Sequence, residues 1–291
     1  MHKTDSINWF PGHMAKAYRL VKLNLSRVDG VIELLDARAP VSSKSPQIEK
    51  VLAGKPRIIL LNKSDLADPG KTEFFKTYLG DRFKVNVVAL DSSQNDAWKR
   101  VLGPIELMLS SKSCDNKRKG MFGRTLKLMV LGIPNVGKST LINRCAHNKK
   151  AKVENRPGVT RSEQWVALAE GIELLDTPGV LWPKFEERLI GINLALIGSV
   201  KESILDLTGL ALELLERLKK GYPACLQRRY ALDEKALEKD PFGLLCDIGV
   251  RRRMLMRFGE VDIERTARML LSEFRAGLIG KITLDELPVA P

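Results

Sequence analysis

Cysteine and histidine are both scarce. The four cysteines, at 114, 145, 225 and 246, show no C-x-x-C spacing, and there are three histidines in all. A disulfide framework and a Cys/His zinc centre are therefore excluded. No apolar run approaches the roughly 18 residues of a membrane span. The first dozen residues hold neither an apolar stretch with a cleavage site nor an Arg-rich amphipathic helix. A cytoplasmic protein with no membrane association is the expectation. Acidic residues are the next shortage, 35 against 48 Lys and Arg, for a net charge of +13. The imbalance sits in residues 1–185, with 31 basic against 18 acidic, while 186–291 hold 17 of each. A basic first half suits a polyanionic partner.

What is present reads as two units, since 291 residues suit about two domains. A helix is expected over Met14–Leu25 after the turn Trp9-Phe10-Pro11-Gly12-His13. Short apolar runs then recur at Val31–Leu35, Ile58–Leu61, Val85–Leu90, Leu126–Leu131 and Ile172–Leu175, separated by helical stretches. That alternation predicts an α/β domain over 1–185, a mostly parallel sheet with helices on both faces. The polar, basic stretch at about 110–124 reads as a flexible linker inside it. From 186 to 291 a smaller all-helical domain is predicted. Ile204, Leu207, Ala211, Leu214 and Leu218 lie at helical spacing, as do Ile263, Ala267, Leu270, Phe274 and Leu278 after a candidate N-cap at Asp262.

Gly132-Ile133-Pro134-Asn135-Val136-Gly137-Lys138-Ser139 matches G-x-x-x-x-G-K-[ST], directly after an apolar run and before a helix opening at Thr140. The glycines let the backbone N–H groups of this loop, from Asn135 through Val136 and Gly137 to Thr140, converge on phosphate oxygens. Lys138 reaches the terminal phosphates, and the Ser139 hydroxyl suits magnesium. Asn62-Lys63-Ser64-Asp65 follows a second apolar run. The Asp65 carboxylate can accept from both N1–H and the 2-amino group of guanine, an arrangement adenine does not offer. Asp176-Thr177-Pro178-Gly179 follows the phosphate loop, placing Asp176 to hold magnesium through water and the Gly179 amide to touch the γ-phosphate. Thr160 lies between them, where a switch threonine would complete the magnesium shell.

These pieces resemble the sequence elements of the translation-factor class of GTPases, with the base-reading element at 62–65 preceding the phosphate loop at 132–139. The order is circularly permuted. Together with Trp9–Ala17, Asp36-Ala37-Arg38-Ala39-Pro40 and the tail from Phe274-Arg275-Ala276-Gly277 to Gly280–Leu284, they make the chain similar to the ribosome biogenesis GTPase A family of circularly permuted, P-loop GTPases.

That resemblance implies a GTP-hydrolysing assembly factor, slow alone, that binds a maturing large ribosomal subunit in its GTP state and leaves after hydrolysis. A monomer is expected. Val180 stands where many GTPases carry a water-orienting glutamine, and His13 is the candidate of this family for that role. Asn135 matches the asparagine of potassium-stimulated GTPases. The loop that supports guanine reads Leu90-Asp91-Ser92-Ser93-Gln94-Asn95-Asp96, and whether Asp91, Ser92 or Ser93 contacts the base stays open. Candidate RNA contacts are Lys117-Arg118-Lys119, Lys149-Lys150 with Lys152 and Arg156, and Arg251-Arg252-Arg253 with Arg257. The rival reading is a GTP-gated RNA- or protein-binding scaffold in which hydrolysis is incidental.

Overall fold

Seven consecutive buried residues, Gly30–Asp36, form β1 at the middle of the sheet. Such an uninterrupted run is what a parallel strand covered on both faces requires. The computed structural model describes residues 12–52, 54–118, 124–147, 164–169, 171–177, 179, 181 and 188–287. Within these, β1 is joined by β2 (Arg57–Asn62), β3 (Asn86–Ala89), β4 (Leu126–Gly132), β5 (Gln164–Ala169) and β6 (Ile172–Asp176) in the order β3-β2-β1-β4-β6-β5. All pairings are parallel except β5 against β6. β5 is the strand that the apolar runs do not announce.

Alternation along the strands sends side chains to two faces. Val31, Met129 and Leu131 pack with Val21 and Leu25 of α1 (Gly12–Leu25) and Ile48 of α2 (Pro46–Val51). On that face, too, Leu35, Ile59 and Leu61 meet Phe75 and Leu79 of α3 (Pro69–Phe83). Ile32, Leu34, Ile58, Leu60, Leu128 and Val130 pack with Ala97, Val101, Ile105 and Leu109 of α4 (Ala97–Arg118) and with Leu141 and Ile142 of α5 (Lys138–His147).

The expected linker needs correction. α4 runs to Arg118, so 110–118 are helical, and 119–123 lie outside the described residues. No Gly or Pro interrupts 105–118, so nothing in the sequence stops the helix there.

After Asp176 the described elements are all helical: α6 (Arg188–Leu196), a 3₁₀ turn (Glu202–Ile204), α7 (Leu207–Gly221), α8 (Pro223–Tyr230), α9 (Glu234–Glu238), α10 (Pro241–Arg251) and α11 (Ile263–Arg275). Asp206, Asp233, Asp240 and Asp262 cap α7, α9, α10 and α11, each carboxylate accepting a backbone N–H of the first turn. Two pattern positions fall outside the helices. Ile204 belongs to the 3₁₀ turn, Leu278 follows the end of α11, and both are exposed. No helix among the described residues is long and apolar enough to cross a membrane.

The helical half is stitched back onto the sheet. Arg38, just past β1, makes a buried ion pair with Asp36 at 2.8 Å. It also donates to the carbonyls of Ile197 and Arg275. The tail after α11 returns to the loops of the sheet half. Ile282 N–H donates to Leu66 O, Leu284 N–H to Arg38 O, and Asp68 N–H to the Thr283 hydroxyl. Asp285 ends this strap, its carboxylate accepting from Val41 N–H, Ser42 N–H, Ser42 Oγ and Asn193 Nδ2.

Candidate nucleotide site

The strand register aligns the motif residues. Asp36 pairs with Asn62, Leu34 with Gly132, and Val130 with Asp176, so the ends of β1, β2, β4 and β6 share one rim. Ligands of open α/β sheets bind at this carboxyl rim.

The phosphate-type loop turns between β4 and α5 with Asn135 at φ +58° and Gly137 at φ +105°. Side chains are excluded from its glycines by contact. A Cβ at Gly132 would lie 2.6 Å from Leu34 O, and one at Gly137 2.2 Å from Asn62 Nδ2. Lys138 is buried and folds back over the loop, donating to Gly132 O at 3.1 Å and Ile133 O at 2.8 Å. Burial lowers its pKa to about 8, against the opposing pull of Asp176. Asp176 is in turn raised by burial, with Lys138 drawing it down. Gly179 crosses the same loop, where a Cβ would lie 2.8 Å from Pro134 N and 3.1 Å from Lys138 Nζ. Ser139 and Thr140 are exposed at the start of α5.

Asn62 joins this loop to the two elements expected from the sequence to read the base. Its Nδ2 donates to Val136 O at 2.7 Å and its Oδ1 accepts Ser92 N–H at 2.9 Å, with the side chain buried. Lys63, in the left-handed region, donates to Asn135 O at 2.7 Å and pairs with Asp36 at 3.1 Å. Ser64 N–H donates to Leu90 O at 3.2 Å, holding 62–65 beside 90–93. Asp65 is exposed, its pKa raised by partial burial and by Asp91, while Lys281 and Arg38 oppose. In the loop expected to support guanine the Ser92 amide is committed to Asn62, and the exposed Ser93 amide donates to Asp91 Oδ1 at 2.8 Å.

Not every expected residue is brought here. Thr160 and Val180 lie outside the described residues, as do Lys119, Lys149, Lys150, Lys152 and Arg156. His13 falls in the first turn of α1, but its side chain is outside the described residues, as are those of Lys117 and Arg118. A cavity of about 1000 Å³ opens elsewhere, at the amino ends of β2 and β3 among Glu49, Lys55, Arg57, Lys76 and Phe83, and no motif residue lines it.

One pair was not assigned a role from sequence. Asp36 is fully buried, and although burial works to raise its pKa, Arg38 and Lys63 hold it below the usual carboxylate range. Through Asp36 and Arg38, the lysine of the base-reading element is connected to the backbone of the helical half.

Residues 127–226 match the family model described as 50S ribosome-binding GTPase. A protein of Priestia megaterium named ribosome biogenesis GTPase A is 43% identical over 282 residues, covering 97% of each chain. Its namesake in Bacillus cereus is 41% identical over 279 residues, covering 96% of this chain and 93% of that one. The chain belongs to the ribosome biogenesis GTPase A family. The GNP-bound YlqF structure from T. maritima has the same fold, with a TM-score of 0.63 and 25% identity over 93% of this chain and 97% of that one. The fold is thus that of a circularly permuted GTPase, and GTPases of this kind bind GTP and GDP, usually with magnesium.

Proposed function

We propose that this chain hydrolyses GTP as an assembly factor for the large ribosomal subunit, binding the maturing subunit in its GTP state and leaving after hydrolysis. Residues 1–185 serve as the GTPase domain and 186–291 as a helical domain toward the ribosome, in a protein acting as a monomer. The observation that carries the nucleotide part is the double contact of Asn62. One buried amide grips both the phosphate-type loop and the loop expected to support guanine, elements that the permuted order keeps 74 and 30 residues from it. The names of the relatives carry the ribosomal part.

In this reading Asn135, Val136, Gly137, Ser139 and Thr140 cradle the phosphates with their amides, and Lys138 exchanges its two carbonyl partners for phosphate oxygens. Asp65 reads the guanine edge, with Asn62, Lys63 and Ser64 holding it in place. Both amides have a partner, Ser92 the buried Asn62 and Ser93 the neighbouring Asp91 at the exposed turn, and the Ser93 amide is the one that can exchange its exposed contact for the base. The hard oxygen donors Ser139, Thr160 and Asp176 suit magnesium, which supplies charge neutralisation at the β- and γ-phosphates when bound. Asn135 donates its amide nitrogen to Gly198 O, which leaves its oxygen for potassium. His13 orients the attacking water, and Gly179 follows the γ-phosphate across the loop.

The test is co-sedimentation with purified large subunits in potassium buffer, with small subunits as the control. The expected result is pelleting with large subunits under a non-hydrolysable GTP analogue and release with GDP. Equal pelleting in both nucleotide states would favour an ungated binder, and pelleting with neither subunit would favour a scaffold acting elsewhere.

A further inference from the structure

Between α10 and α11 the chain makes a short hairpin. Leu255 and Val261 bridge antiparallel, Met256 N–H donates to Glu260 O at 2.7 Å, and Gly259 turns the tip at φ +83°. The base of the hairpin is fixed. Val261 packs onto Gly249, where a Cβ would lie 2.3 Å from its Cγ1, and Arg252 pairs with Glu273 while lying over the ring of Tyr230. Its tip is bare. Phe258 is 96% exposed, and Met256, Leu255 and Val250 beside it are exposed as well.

A single exposed apolar side chain needs no explanation, but a rigidly based tip that groups several of them does. The charges around it narrow the choice. The helical half is neutral overall, and some of its cations are matched by acids: Lys239 by Asp247, Arg229 by Glu273, Arg268 by Glu264 and Lys220 by Glu216. Others, such as Lys201, Arg228 and Lys235, stand singly among the described residues. What marks the hairpin is that its unmatched cations are grouped. At the hairpin, Arg253 and Arg257 are exposed and have no carboxylate partner among the described residues. Arg251 donates to the carbonyl of Ala231, which leaves its charge unneutralised. Glu260 is the one acid on the hairpin itself, and the Asp262 carboxylate is engaged in capping α11. The tip is therefore an aromatic ring set among unmatched guanidinium groups.

We propose that this hairpin reads unpaired RNA, Phe258 stacking on an unstacked base while Arg251, Arg253 and Arg257 hold the neighbouring phosphates. The inference deepens the ribosomal reading above and rests on it for the source of the RNA. Unpaired bases offer an open ring face and closely spaced phosphates, the two features this tip complements, whereas a perfect duplex buries its base faces.

The full-length protein is titrated against a fluorescein-labelled oligouridine of about twelve nucleotides, with a perfect RNA duplex of equal length and polyglutamate as competitors. Phe258→Ala is expected to weaken oligouridine binding by about five-fold to a hundred-fold, with an unchanged salt slope. Phe258→Trp restores binding and Phe258→Leu does not. Arg253→Gln with Arg257→Gln reduces the slope of log affinity against log salt by about 1.4, near 0.7 for each lost phosphate contact. Unaltered binding by Phe258→Ala, rescue by Leu as a protein pocket would give, or equal competition by duplex or polyglutamate would each overturn the proposal. The three substituted side chains are exposed, so equal melting temperatures and equal unstimulated GTP turnover confirm that the variants are folded. Sedimentation separates the two readings. If the wild type fails to pellet with large subunits, the ribosomal source is lost whatever oligouridine shows; if wild type and Phe258→Ala pellet equally, the hairpin is not the contact.

Discussion

In the sheet half, residues with a chemical role end strands or sit in the turns that follow, and side chains hold them: Asn62 on Val136 and Ser92, Lys63 on Asn135 and Asp36. In the helical half, the corresponding work falls to aspartate caps and to backbone carbonyls. Ile197 and Arg275 present theirs to the Arg38 guanidinium across the seam. The contrast teaches where each half can be damaged. A change at the rim costs nucleotide binding, a change at the seam costs the coupling of the halves, and a change in a helical cap costs only local stability.

Breaking the seam gives the largest stability effect. Arg38→Ala leaves the buried Asp36 carboxylate with Lys63 and the backbone N–H of residue 38, and frees the carbonyls of Ile197 and Arg275. A loss of about 3–5 kcal/mol is expected, as for one partner removed from a buried pair. Urea unfolding checks it. Tryptophan fluorescence, reporting Trp98 and Trp165 of the sheet half, and helical circular dichroism should then give transitions that no longer coincide. A loss under about 1 kcal/mol would mean that the pair is relaxed by solvent.

At the rim, on the proposed reading of Asp65, Asp65→Asn exchanges an acceptor for a donor toward the guanine N1–H and 2-amino groups. With each charge-assisted bond contributing about 1.5–3 kcal/mol, GDP affinity should fall by about a hundred-fold or more while the melting temperature stays within a degree or two. Competition of xanthosine and guanosine diphosphates for the variant measures the reversal of base preference.

Most of this contrast was legible in the sequence, for reasons that differ by element. The phosphate-type loop is readable because close contacts at Gly132 and Gly137 exclude other residues there. The buried strands are readable because their runs are continuous, and Asp262 because an N-cap is a local device. The seam was not legible. Arg38 and Asp285 find their partners 92 to 244 residues away, and many of these are backbone groups that carry no side-chain signature. The end of α4 was missed because a polar stretch without helix breakers looks the same as helix or as linker.

Lys138 sharpens the comparison through pH. Burial sets its pKa at about 8 in the nucleotide-free protein, against 10.5 when exposed. Phosphate binding needs the ammonium form, so affinity for GDP should fall as pH rises through 8, approaching about ten-fold per pH unit above it. Calorimetry near pH 8 in buffers of different ionisation enthalpy should show an uptake of about half a proton. The unfolded chain holds this proton more tightly, so the nucleotide-free protein gains stability between about pH 8 and 10.5. The smallest effect belongs to the helical half. Asp262→Ala removes one cap and should cost about 1 kcal/mol by urea unfolding, leaving nucleotide affinity unchanged.

The most direct test of the account is GTP turnover in potassium buffer, measured alone, with purified large ribosomal subunits and with small ones. Slow turnover that rises with large subunits only is the predicted result. Turnover that neither subunit stimulates, in a protein that still binds GTP, would contradict the ribosomal role while leaving the nucleotide site intact.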